Sequence, residues 1–139
     1  SPLRNVNDII KSLKKFKRSN CNNLFSICDS KKNPYFNMIE VVNRKIKLVK
    51  YKKNSNRFSR SYTSDYQIVR RQDAPKVFEM NASIYIYKRK LLLNKIKLIN
   101  SKTITYMMPR ERSVDIDDIN DFNLVKKLVK NDYKLFKKI

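Results

Sequence analysis

Glycine, histidine and tryptophan are all absent from these 139 residues, and alanine occurs only at Ala74 and Ala82. Average usage would supply roughly 7% glycine. Without glycine, the chain lacks the loops that let backbone N–H groups approach a phosphate closely. Without histidine, zinc sites of the Cys/His type and histidine-assisted nucleophilic catalysis are excluded. The two cysteines, Cys21 and Cys28, flank a predicted strand and have no metal or redox spacing. Reduced, partly buried thiols suit a cytoplasmic protein. No apolar run approaches the ~18 residues of a membrane span, so no membrane partner is expected. No stretch reads as a signal peptide.

What is present is charge of one sign, with a net value of +21. Lys, Asn and Ile are abundant, the pattern of a strongly AT-rich coding sequence, so much of that charge is expected on solvated faces. A basic surface can bind polyanions. Here, however, Lys is spread through every segment, and no basic motif with interleaved aromatics stands out. This argues against nucleic acid as the main partner. The length suits one domain with a modest core.

Local signals divide the chain into alternating helices and strands. Asn5 is a good N-cap, with Asp8 three residues on in a capping-box-like position. Val6, Ile9, Ile10, Leu13 and Phe16 recur at helical spacing, which predicts a helix over 6–17. Strands are expected at 24–28 and 36–42, with 44–50 pairing onto the second as a hairpin. Residues 51–69 are polar, basic and aperiodic, a loop or linker by composition. A strand over 81–87 would place Ala82, Ile84 and Ile86 on one face and Asn81, Ser83, Tyr85 and Tyr87 on the other. That second face suits a sugar-binding wall, and equally an edge strand with a wet face. A short helix at 88–93, a strand at 103–108 and an amphipathic helix from beyond Asp117 to about 137 complete the pattern.

The densest chemistry lies at Arg110-Glu111-Arg112-Ser113-Val114-Asp115-Ile116-Asp117-Asp118. In an extended strand, Asp115 and Asp117 would project together while Val114 and Ile116 pack inward. Two carboxylates on one face repel unless a cation or proton lies between them. Mg²⁺ is commonly held by one or two carboxylates plus substrate phosphates. The same residues also fit a solvated strand end leading into a helix capped by Asp117 or Asp118. Arg110 and Arg112 could pair with Asp115 or Asp117 when metal is absent.

Taken in order, Ser1-Pro2-Leu3-Arg4, Arg70-Arg71-Gln72-Asp73-Ala74-Pro75, Asn81-Ala82-Ser83-Ile84-Tyr85 and Pro109-Arg110-Glu111-Arg112-Ser113-Val114-Asp115-Ile116-Asp117 resemble the C-terminal part of the acylneuraminate cytidylyltransferases. These are the CMP-sialic acid synthetases and their relatives for other nonulosonic acids. The resemblance runs from Ser1 to about Leu128. It implies an α/β fold, the C-terminal portion of a Rossmann-like nucleotidyltransferase three-layer fold with an inserted dimerisation arm. On that reading 1–42 and 81–139 form the partial nucleotidyltransferase domain. Residues 43–80 are the arm, whose aromatics Phe58, Tyr62 and Tyr66 would meet a second subunit in a homodimer.

The resemblance implies transfer of CMP from CTP to a nine-carbon α-keto acid sugar, with release of pyrophosphate. Asp115 and Asp117 match the family's metal-binding aspartates, with Mg²⁺ as cofactor. Arg71 and Asp117 are the implied catalytic residues, and Arg71, Gln72, Asn81 and Tyr85 the implied substrate contacts. A guanidinium such as that of Arg71 suits a bidentate grip on carboxylate or phosphate.

Two departures accompany it. Sialic acid members carry Arg-x-Asn-Gly-Ala before the Tyr, where this chain has Glu79-Met80-Asn81-Ala82-Ser83. With the charge reversed at Glu79, legionaminic or pseudaminic acid suits the chain as well as N-acetylneuraminate does. The family's glycine-rich triphosphate loop and first parallel strands, on which the helix at 6–17 should pack, have no counterpart here. The 139 residues are therefore expected to be inactive alone. A non-catalytic dimerising remnant or a basic nucleic-acid-binding module is the alternative.

Overall fold

The computed structural model of the protein describes residues 1–50, 68–93, 97 and 99–131. They fall into two compact units, Ser1–Asp29 with Phe78–Ile139 and, separately, Ser30–Val77. The segment expected as an arm overlaps the second unit, and Phe58, Tyr62 and Tyr66 lie outside the described residues. So does the expected last stretch of the C-terminal helix, beyond Asn131. No described helix is long and apolar enough to cross a membrane.

The first unit is mixed α/β. Its strand β1 (Asn23–Asp29) lies between β4 (Phe78–Tyr87), antiparallel to it, and β5 (Thr103–Met107), parallel to it; the second unit holds β2 and β3, described below. A central strand is covered on both faces, and from Asn23 to Cys28 every residue of β1 is buried. Helix α1 (Val6–Arg18) crosses all three strands. The other helices are α2 (Arg89–Leu93), whose Leu91 is buried, and α3 (Ile119–Asn131), which buries Val125. Cys21 and Cys28 are free thiols, both buried.

Helix α1 forms as its pattern predicts, with the Asn5 Oδ1 accepting from the Asp8 N–H at 2.9 Å. Its inward face is a different matter. Asp8 and Ser12 are the buried positions, while Val6, Ile9, Ile10 and Leu13 are exposed. The Lys15 ammonium also reaches the sheet, donating to the Thr105 carbonyl at 2.8 Å. The helix thus meets the strands through polar side chains, and its apolar stripe points elsewhere.

The two-faced reading of β4 holds only in part. Phe25 pairs with Tyr85, but Ile27 pairs with Met80, so β4 carries extra residues between these two positions. This bulge turns both Asn81 and Ser83 inward and leaves Ala82 exposed. Tyr85 and Tyr87 do share a face, as expected, each packing edge-on against Phe25 with ring centroids 5.3 and 5.8 Å apart. Ala82 adopts φ 49°, left-handed backbone in which a Cβ crowds the following carbonyl. Ala82→Gly should therefore stabilise the chain by about 1 kcal/mol, the relief of that crowding exceeding the added chain entropy of glycine. A urea midpoint unchanged or lowered by the substitution would contradict this account.

In the second unit, β2 (Ile39–Val42) and β3 (Lys45–Leu48) form an antiparallel hairpin closed by Asn43 and Arg44. Both loop residues have positive φ, 50° and 61°, the geometry of a type I′ turn in which glycine usually takes the second place. β2 starts later than its pattern predicts, because Asn33 accepts from the N–H groups of Phe36 and Asn37 through its carbonyl and winds 33–37 into a turn. A short 3-10 turn, Arg71–Asp73, follows the undescribed segment.

Candidate functional site

The segment after β5 is held by three anchors before its acidic residues begin. Pro109 leads into a 3-10 turn, Arg110–Arg112, and the Ser113 hydroxyl closes it by donating to the Pro109 carbonyl at 2.8 Å. Arg110 donates to the backbone carbonyl of Asp29 at 3.0 Å. Arg112 reaches Asp8 of α1 in a two-pronged contact, Nε to Oδ2 at 2.8 Å and Nη2 to Oδ1 at 2.9 Å. Neither arginine pairs with Asp115 or Asp117, the pairing their nearness in sequence had offered. A buried carboxylate on a helix facing the loop is the stronger partner for a guanidinium, since it has no water to turn to.

Asp8 is almost completely buried, and the Tyr106 hydroxyl also donates to it at 3.2 Å. Burial pushes its pKa up, but the hydrogen bonds and charge of Arg112, with help from the Tyr106 hydroxyl and the Asn5 backbone N–H, outweigh that and hold it below its ordinary 3.8. A carboxylate with a depressed folded pKa contributes stability that is present above its unfolded pKa and lost as pH falls through the folded value. The chain should therefore lose stability as acid is added below about pH 4, and Asp8→Asn should flatten that limb of the curve. Urea denaturation of both forms between about pH 2 and 6 measures this. Parallel curves would show that Asp8 is not the group responsible.

The third anchor is a chain of polar side chains through the interior. Ser26 on β1 donates to the Asn81 Oδ1 at 2.6 Å, and the Asn81 amide donates to the Ser113 hydroxyl at 2.8 Å. The Asn81 oxygen also accepts from the Ser83 N–H at 3.3 Å, and its amide faces the Met108 sulfur at 3.5 Å. From the other side, Arg4 donates to the Ser83 carbonyl. Asn81, Ser83 and Ser113 thereby tie the β4 bulge to the loop, and the Asn81 side chain is engaged on both its atoms.

The extended strand expected over Val114–Asp117 does not form: β5 ends at Met107, and 113–118 is irregular. Val114 is half-buried, and Asp115, Ile116 and Asp117 are exposed. Local bonds compete with strand pairing here, the Asp115 carboxylate accepting from the Ile116 N–H at 3.2 Å. Asp115 also lies 3.2 Å from the Ser1 nitrogen.

The reading of an acidic run as a helix start is correct for Asp118. Its Oδ1 accepts from the Asn120 and Asp121 N–H groups at 2.7 and 2.9 Å, and Asp121 returns the bond by accepting from the Asp117 and Asp118 N–H groups. That is a capping box at the first turn of α3. Among the described residues no three His, Cys, Asp or Glu side chains gather as a metal-holding group. Asp115 and Asp117 remain as an exposed pair of hard oxygen donors on one short segment.

The remaining predicted site residues divide between the two units. Tyr85 and Asn81 belong to the first. Arg71 and Gln72 belong to the second, both exposed, with the Arg71 guanidinium donating to the Lys31 carbonyl at 3.0 Å. Sequence reading missed Asp8 as the partner of Arg112, and it missed the roles of Ser26 and Ser113. The one available signal for Asp8 was an acidic residue set beside an apolar helical stripe.

The fold and loop define a mixed α/β protein whose acidic segment follows the carboxyl end of a parallel strand, the place where open α/β sheets bind ligands. No family model matches the chain. It is 37% identical over 130 residues to the post-translational flagellin modification protein B of Campylobacter coli, a match covering 94% of this chain and 49% of that protein. It is 36% identical over 106 residues to the CMP-N,N'-diacetyllegionaminic acid synthase of Campylobacter jejuni, covering 76% of this chain and 39% of the synthase. Over the stretch it spans, the chain resembles a CMP-nonulosonate synthetase. It spans about half the length, or less, of these relatives.

Proposed function

We propose that the chain is the sugar-side part of an enzyme that transfers CMP from CTP to a nonulosonic acid for the modification of cell-surface glycans or flagellin. The observation that carries this reading is its similarity, over most of its length, to a synthase of CMP-N,N'-diacetyllegionaminic acid. In the reaction the anomeric hydroxyl of the sugar attacks the α-phosphorus, the bond to the β-phosphate breaks, and pyrophosphate leaves. The hydroxyl gives up its proton as the new P–O bond forms. The finer fold reading, a Rossmann-like three-layer nucleotidyltransferase with an inserted arm that makes a homodimer, belongs to the same proposal, and an inserted compact unit suits such an arm.

The donor chemistry of the loop suits Mg²⁺. Two exposed carboxylates, Asp115 and Asp117, leave the other positions of an octahedral ion to phosphate oxygens and water. The metal, when bound, would supply charge neutralisation at the phosphates. This chain's own residues supply position. Arg112 and Ser113 fasten the loop to α1 and β4, so that the two carboxylates stand on a held base. Arg71, exposed, is assigned to the sugar's carboxylate. Tyr85, also exposed, offers a phenol as part of the sugar wall, and Asn81 shapes that wall from behind by holding Ser113 and the bulge.

The test is an assay of the complete protein with CTP, Mg²⁺ and each of N-acetylneuraminic, N,N'-diacetyllegionaminic and pseudaminic acid. The expected result is a CMP-sugar and an equal amount of pyrophosphate with at least one of them. No product with any of the three would overturn the reading. Affinity for nucleic acid that falls linearly with log salt would then favour a basic binding module.

A further inference from the structure

We propose that Arg4 is a substrate contact that grips an anionic group at the reacting centre, a proposal that rests on the transfer reaction above. The anion is the carboxylate of the nonulosonic acid or the α-phosphate under attack. The two share one chemistry and meet at the bond being made. Arg4 directly precedes the Asn5 cap of α1, and it is exposed. Its Nη1 donates to the Ser83 carbonyl in the β4 bulge. Asn81, two residues back in that bulge, donates to Ser113 at the base of the acidic loop. On the other side, Leu3 is buried and the Ser1 hydroxyl donates to the Arg112 carbonyl at 3.4 Å. Three residues of chain span at most ~11 Å, so Arg4 stands between the strand that carries Tyr85 and the loop that carries Asp115 and Asp117.

The arginines of the loop itself are already engaged. Arg112 gives two prongs to Asp8, and Arg110 bonds the Asp29 carbonyl. Arg4, by contrast, takes part in no ion pair among the described residues. A guanidinium carries five N–H donors and one carbonyl takes one of them, so charge and a fork of donors remain for a carboxylate or phosphate. The bulge under Arg4 is also built at a cost. Ala82 holds left-handed backbone at φ 49°, and the Ser83 hydroxyl is buried with no partner among the described residues. Strained backbone of this kind gathers at ligand clamps.

The test is calorimetric binding of CTP with Mg²⁺, and of each of the three nonulosonic acids, to the complete protein before and after Arg4→Gln. Glutamine keeps a donor for the Ser83 carbonyl but loses the charge and the fork. The expected result is binding at least ~30-fold weaker for one ligand or both, the loss of a charge-assisted bond, with the urea midpoint unchanged. Loss for the sugar identifies the carboxylate, loss for CTP the α-phosphate, and loss for both a position between them.

Binding of both ligands at wild-type strength in Arg4→Gln overturns the proposal. So does a loss for both in step with a lowered urea midpoint, the mark of a residue that only braces the bulge. The catalytic reading fails separately. A protein that binds these ligands through Arg4 but makes no CMP-sugar would sink that reading and leave the grip standing. Undiminished CMP-sugar synthesis by Arg4→Gln would do the reverse, and a complete protein that binds neither ligand overturns both.

Discussion

Arg112→Leu should cost the chain about 3–5 kcal/mol in urea denaturation, the largest loss expected from any single substitution in the described structure. The reason is the group left behind. Asp8 is 1% exposed and receives both prongs of the Arg112 guanidinium. Remove the guanidinium and a buried carboxylate retains only the Tyr106 hydroxyl and the cap of its own helix. Desolvation, no longer offset, then pushes its pKa upward, and the chain gains acid stability relative to neutral pH. Replacing both partners, as in Asp8→Leu/Arg112→Leu, removes the stranded charge along with the pair. It should recover most of the loss, since apolar replacements of buried pairs are often near neutral. A single substitution costing under about 1 kcal/mol would show that the pair is far better solvated than its burial indicates.

The second large effect separates two neighbouring aspartates. In the complete enzyme, Asp117→Asn should lower kcat by about 100-fold or more at saturating Mg²⁺, with little change in stability. Its carboxylate accepts no hydrogen bond among the described residues and is exposed, so no hydrogen bond among them is lost with it. Asp118→Ala should do the opposite. Its carboxylate caps α3 through two backbone N–H groups, so the substitution costs about 1 kcal/mol of stability. Turnover should follow only so far as the loop loosens. Near-normal turnover in Asp117→Asn would remove this residue from the metal site, and equal losses in both variants would mean that the acidic run acts only through the fold.

Much of the architecture was legible in the sequence because its signals are local. Asn5 caps α1, the apolar run at 24–28 becomes the buried centre of the sheet, and the expected hairpin forms, with Arg44 in its turn rather than in the second strand. Asp118 starts α3 with Asp121 three residues on. In each case the partners lie within a few residues, and propensity and periodicity report on that range. The candidate site was half legible. The acidic loop, Tyr85 and the arginines are present and placed on loops and a strand, but the alternation argument failed twice. It failed at Val114–Asp117, where local hydrogen bonds replaced the strand, and at Ser83–Ile84, both buried, where a bulge broke the period of two.

The sequence by itself determined most of the elements and the family signature in its order. Only the tertiary structure decided that Arg112 belongs to Asp8, 104 residues away, and that Asn81 faces Ser26 and Ser113. It also decided that α1 meets its sheet through polar side chains. Those choices depend on which surfaces meet across the fold. A buried charge takes the partner that the packing brings to it, and an apolar stripe stays exposed until something packs against it.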